Sequence, residues 1–257
     1  MFTVEERDAL RERVLELAEE DERVTAGAVV GSLADDSADR FSDVDLTFGI
    51  SDGARVADVL EDWTRTLIEE RDAVPLVDLE RGPTTYRVFL LPNTLQLDIS
   101  MTPAARFRPA GPRFRLLFGE TAGGSEPTPP VAGDLFIATP SVPADIFGWG
   151  VIYALHTRAC IERGRLWQAE HYIGAVRDHA LALACIREGL PPAQARAYDD
   201  LSAETRARFE STHVGSLEPA ALRAVLAASV LALTREGTEA RLPNAEVVAE
   251  RLAELSR

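Results

Sequence analysis

Lysine is absent from this sequence: all 27 basic residues are arginine, set against 42 acidic residues and a formal net charge of -15. A field of that sign repels polynucleotide backbones and draws in cations and cationic small molecules. No basic stripe with interleaved aromatics is visible, so nucleic acid is not an expected partner. Cysteine is nearly absent too. Cys160 and Cys185 are the whole complement, which excludes a disulfide framework and a cysteine-based zinc site and fits a reducing, cytoplasmic compartment. No apolar run approaches the roughly 20 residues needed to cross a bilayer, and the acidic N-terminus does not read as a secretory signal. Aromatic residues make up 7% of the chain and apolar residues 46%, the balance of a soluble globular protein.

What is present falls into two halves. Thr3 and Glu6 form a capping box ahead of Leu10, Val14 and Leu17 at helical spacing. The apolar run 24–30 predicts a buried strand that ends at Gly31 and Ser32, and residues 33–42 read as a polar loop, with Asp35, Asp36 and Asp39 as solvated groups. Residues 43–50 (DVDLTFGI) predict a second strand, followed by an amphipathic helix on Val56, Val59, Leu60, Trp63 and Leu67, with Ser51 as its cap. Strand-like runs follow at 73–79, 85–91 and 94–100, the last two joined by a hairpin turn at Pro92 and Asn93. Interleaved strands and helices call for a mixed α/β (α+β) sheet domain over residues 1–120. A Gly- and Pro-rich connection occupies 121–143. Residues 144–257 read as an all-helical bundle, with helices at 145–163, 165–188, 202–213, 218–236 and 244–256 and with Gly164 and Gly189 as stops.

The chemistry concentrates on the second strand. Alternation sends Asp43, Asp45 and Thr47 to one face and Val44, Leu46 and Phe48 to the other. Two like charges so close are unfavourable unless solvent or a cation relieves them, and a hard cation such as Mg²⁺ takes such oxygen ligands together with substrate phosphates. The strand at 94–100 repeats the pattern, with Gln96, Asp98 and Ser100 on its polar face. If it neighbours the first, Asp98 becomes a third carboxylate at the same place. Gly31 permits close backbone approach to a phosphate, and Ser32 adds a hydroxyl and an N–H.

Gly31-Ser32, ten further residues, then Asp43-Val44-Asp45, with Asp98 on a later strand, closely resembles the nucleotidyltransferase signature of the DNA polymerase beta superfamily. The layout of a catalytic sheet followed by helices looks like the aminoglycoside and lincosamide nucleotidyltransferases. Residues 111–120 and 162–185 are similar to uncharacterised bacterial members of that broad group. The resemblance implies two Mg²⁺ ions held by Asp43, Asp45 and Asp98, with Gly31 and Ser32 on the β- and γ-phosphates. It also implies transfer of AMP or another NMP from ATP or another NTP to a hydroxyl of a small molecule, with release of pyrophosphate. The acceptor is an aminoglycoside-like or lincosamide-like antibiotic or another metabolite. The oligomeric state is left open. A protein acceptor and a catalytically silent nucleotide-binding module are the alternatives.

In the helical half, Leu166, Ala169, Ile173, Val176, Ala180 and Leu183 form a core stripe. Trp167, Glu170, His171, Gly174, Arg177, Asp178 and Leu181 form a second, mostly polar one at the same spacing. That stripe reads either as one wall of a cleft or as a solvated helix face. As a cleft, it makes Glu170 a contact for the acceptor or a rival to Asp98 as general base. Arg177 then contacts phosphate or pairs with Asp178, with Arg163 and Arg165 as further phosphate contacts. His156, His171, His179 and His213 lack metal spacing, and Trp149 and Tyr153 read as packing or base-stacking residues.

Overall fold

The computed structural model describes residues 1–35, 37–109, 113–123 and 142–256. Most of the expected connection at 121–143 therefore lies outside the described residues, as do Asp36, Gly111 and Pro112. The chain divides into two compact units, Met1–Ile137 and Ala138–Arg257.

The first unit opens with α1 (Val4–Glu20), whose capping box is present as expected: the Thr3 N–H donates to Glu6 at 2.7 Å and the Glu6 N–H to the Thr3 hydroxyl at 3.2 Å. Six strands follow: β1 (Val24–Val30), β2 (Val44–Ile50), β3 (Val74–Arg81), β4 (Thr84–Leu90), β5 (Gln96–Pro103) and β6 (Phe114–Phe118), with α2 (Val56–Arg71) between β2 and β3. They form one mixed sheet in the order β3-β4-β5-β2-β1-β6. Only β2 and β5 run parallel; every other neighbouring pair is antiparallel. The α2 helix makes this possible, since it begins the long connection a parallel pair requires.

The apolar faces of α1 and α2 bury the sheet. Leu10, Val14, Val59, Leu60 and Leu67 pack with Leu46, Phe48, Leu97 and Ile99 in one core, and Phe48 meets Trp63 edge-on at 5.0 Å. On the opposite face a smaller cluster of Ala26, Ala28 and Phe107 covers one end of the sheet.

Two local expectations need correction. Ser51 does not cap α2: the N-cap is Arg55, and the Ser51 carbonyl instead accepts from the Ala54 N–H in a turn that delays the helix. Strand β6 was not expected, because its burial follows no period of two; the successive residues Leu116 and Leu117 are both exposed on a sheet edge.

The second unit contains α3 (Pro143–Glu162), α4 (Leu166–Arg187), α5 (Ala203–Ala207), α6 (Pro219–Glu239) and α7 (Ala245–Leu252). It is helical throughout its described residues apart from turns, as the periodicity required. Gly164 and Gly189 adopt left-handed φ of +69° and +74° and end α3 and α4. The N–H of the following residue reaches back to Cys160 and Cys185 respectively, closing each helix end. The helix expected at 202–213 is instead a five-residue α5 capped by Ser202, followed by a short 3-10 turn. The break brings Phe209 into the core. No helix among the described residues is long and apolar enough to cross a membrane.

Candidate active site

Parallel pairing of β2 with β5 sets Asp45 directly opposite Asp98, and Val44 opposite Leu97. Because both strands have the same side-chain period, Asp45 and Asp98 emerge on one face while Leu46 and Ile99 enter the core on the other. Asp43 stands one residue before β2. Carboxylate oxygens of Asp43, Asp45 and Asp98 all lie within 4.8 Å of one another, and each residue is half-buried. Three oxygen ligands at this spacing fit a hard divalent cation.

Gly31 completes the same corner. It begins a short 3-10 turn, Gly31–Leu33, at the end of β1 with φ +66°. A Cβ at this position would lie 2.4 Å from Asp45 Oδ2. The Asp45 carboxylate therefore occupies the space that any side chain at residue 31 would need, and the left-handed backbone independently favours glycine. Ser32 is partly exposed in the same turn, and its carbonyl accepts from the Ser37 hydroxyl at 3.4 Å.

In the loop leading into Asp43, Asp35 and Asp39 are exposed, as expected of solvated groups, and they also hold the loop by hydrogen bonds. Asp39 Oδ1 accepts from the Phe41 N–H at 2.9 Å and from the Ser42 hydroxyl at 3.2 Å, and the Asp39 N–H donates to Ser42 Oγ at 3.0 Å. Arg7, 6% exposed on α1, donates through Nη1 to the Asp39 carbonyl at 2.7 Å. Asp35 accepts from the Ser37 hydroxyl at 2.6 Å and pairs with Arg113 at 3.1 Å. Arg115 donates to the Leu33 carbonyl at 2.9 Å, so β6 braces the turn that holds Gly31. Neither Arg7 nor β6 was legible as part of this corner. An arginine in a helix's first turns carries no signal that it will be buried against a loop 32 residues later.

Burial and mutual repulsion set the electrostatics. Asp45 is pushed well above the ordinary carboxylate range by desolvation, then by the charges of Asp43 and Asp98. Asp98 is raised to about 7 by desolvation and by Asp43, against the opposing hydrogen bonds of Gln96 and Asp45. Without a cation, the Asp45–Asp98 pair shares a proton because two adjacent carboxylates resist ionising together. Gln96, like Ser100, lies on the polar face without an expected role. Its Nε2 donates to both Asp98 oxygens, at 3.0 and 3.2 Å, while its buried Oε1 has no partner. The alternation that exposed Asp98 had also put Gln96 on this face, so the signal was available.

The second unit carries the remaining expected residues. The core stripe of α4 is buried from Ala169 to Leu183, with Leu166 only partly so. On its second stripe, Trp167 is 76% exposed, His171 is exposed and Glu170 is half-buried. Arg177 pairs with Asp178 at 3.3 Å, the intrahelical alternative to a phosphate contact. Trp149, Tyr153 and Tyr172 form a run of rings at 5.9 and 5.7 Å, with His156 and His179 packed edge-on against it. His179 Nδ1 lies 2.8 Å from the Ala175 carbonyl, and burial lowers its pKa. These histidines are packing groups of α3 and α4. Among the described residues, the metal-compatible group is the three aspartates.

No protein-family model and no curated protein matches the chain. Among solved structures it is similar to an aminoglycoside 6-adenyltransferase from Bacillus subtilis, at 15% identity and a TM-score of 0.32, over 93% of this chain and 89% of that one.

Proposed function

We propose that the chain is a Mg²⁺-dependent nucleotidyltransferase that moves an NMP, AMP from ATP in the first instance, to a hydroxyl of a small molecule. The observation that supports this reading is the convergence of Asp43, Asp45 and Asp98 through the β2–β5 register, with Gly31 against Asp45. Two ions bound there would polarise the α-phosphoryl group and neutralise the triphosphate. In this reading Asp43, Asp45 and Asp98 hold the ions, and the Gly31-Ser32 turn offers backbone N–H groups and a hydroxyl to the β- and γ-phosphates. The acceptor oxygen bonds to the α-phosphorus as the bond to pyrophosphate breaks. Its proton passes to Asp98 or to Glu170, and in a chain that has no lysine the ions and arginine meet the charge of the triphosphate. The surplus of acidic residues favours a cationic acceptor of the aminoglycoside kind.

The deciding measurement is pyrophosphate release with Mg²⁺ and each NTP over a panel of aminoglycosides, lincosamides and other polyols. Acceptor-dependent release by the wild type that disappears in Asp45→Ala is the expected result. NTP binding with no release across the panel would favour a silent nucleotide-binding module. NTP label appearing on a protein would favour protein nucleotidylation. The pH–rate profile of Glu170→Gln then assigns the base: loss of the ascending limb identifies Glu170, and a retained limb leaves Asp98 in that role.

A further inference from the structure

Gln96 opens β5 at the edge of the acidic corner and is 4% exposed. Its amide group divides its two ends. Nε2 donates to both oxygens of Asp98, and Oε1 is buried without a partner. A carboxylate needs a donor opposite it, so the acceptor end of the amide is the one left over. Buried polar groups are almost always hydrogen-bonded, and an orphan beside a cluster of charges points to a donor that binds there. Gln96 stands opposite Leu90 on β4, and the pairing with β2 begins one residue further on, at Leu97.

We propose that Gln96 is a positioning residue of the acidic cluster. Its N–H fixes the Asp98 carboxylate toward Asp45, and its Oε1 accepts a hydrogen bond from a water carried by the divalent cation. The inference rests on the reading of this corner as a metal centre. A ligating carboxylate that must face a neighbouring carboxylate has every electrostatic reason to rotate away. A neutral amide that bridges both of its oxygens holds it without adding charge. Outer partners of this kind typically contribute about 10–100-fold in metal affinity.

The test is Mn²⁺ binding followed by electron paramagnetic resonance on the full chain, for the wild type, Gln96→Met and Asp45→Asn. Methionine keeps the length and volume but removes both donor and acceptor. The expected result is Mn²⁺ affinity lowered about 10–100-fold in Gln96→Met, with the circular-dichroism spectrum of the metal-free protein unchanged, which separates the loss from a failure to fold. Binding within twofold of wild type in Gln96→Met, with Asp45→Asn inactive in binding, would overturn the role of Gln96 and leave the metal centre standing. Absence of Mn²⁺ binding by the wild type would remove the metal centre and the proposal together. A second readout needs no variant: the Gln96 side-chain amide resonances of ¹⁵N-labelled protein should shift on Mg²⁺ addition. An amide signal insensitive to saturating Mg²⁺ also overturns the proposal.

Discussion

At Gly31 two constraints meet on one atom that is not there. A methyl group would face Asp45 Oδ2 at 2.4 Å, and the backbone sits at φ +66°. The conformational penalty for an L-residue in that region is about 1–2 kcal/mol, and displacement of the Asp45 carboxylate is added to it. Gly31→Ala should therefore lower the melting temperature modestly and weaken Mn²⁺ binding by far more than that loss implies. Gly31→Asn separates the two effects, since asparagine tolerates the left-handed region but still brings a Cβ. It should recover the backbone share of the stability without recovering metal affinity. Equal recovery of both would show that backbone strain alone matters at this residue.

Among the elements, the junction of α1, β1 and α2 depends on one carboxylate. Asp21 accepts from the Arg23 N–H at 3.0 Å, from Arg23 Nε and Nη2 at 2.8 Å each, and from Trp63 Nε1 at 3.0 Å. Arg23 continues to Asp62 on α2 at 2.8 Å. The Arg23 guanidinium first, then the Trp63 N–H, holds the Asp21 carboxyl below its ordinary value of 3.8. A carboxyl depressed in the fold stabilises it above the unfolded pKa and loses that contribution as pH falls through the folded value. Asp21→Ala strands the Trp63 N–H, whose residue is 3% exposed, and should cost about 2–3 kcal/mol in urea unfolding at neutral pH. That difference should shrink below about pH 4, and Asp21→Asn should restore part of it. A deficit that persists unchanged at pH 3 would mean that packing, not charge, sets the loss.

For the molecule as a whole, the acidic corner works in the opposite sense. Asp45 is raised above its ordinary value and Asp98 to about 7. Between the unfolded value near 3.8 and the folded one, the native state binds more protons than the unfolded chain, so stability falls as pH rises through that window. A cation bound only by the folded protein reverses this by mass action, and it competes with those same protons. The metal-free protein should thus melt at lower temperature at pH 8 than at pH 5.5. Added Mg²⁺ should raise the melting temperature far more at pH 8. Asp98→Asn should flatten both trends. An equal Mg²⁺ increment at the two pH values would place the stabilising ion elsewhere on a surface of net charge -15.

The alternation of Asp43, Asp45, Gln96 and Asp98 with apolar neighbours was legible because a strand's period of two is local, and the capping box at Thr3 and the stops at Gly164 and Gly189 were legible for the same reason. The sequence by itself determined two units of different class and the residues that face away from the core. It could not supply the parallel β2–β5 register, which alone sets Asp45 opposite Asp98. Nor could it reveal that Gly31 is filled from outside by Asp45, that Arg7 reaches the Asp39 carbonyl, or that β6 closes the sheet beside β1. Those contacts join residues from 14 to about 90 positions apart, and each was decided only when burial of the helix and strand faces fixed where the backbones lie.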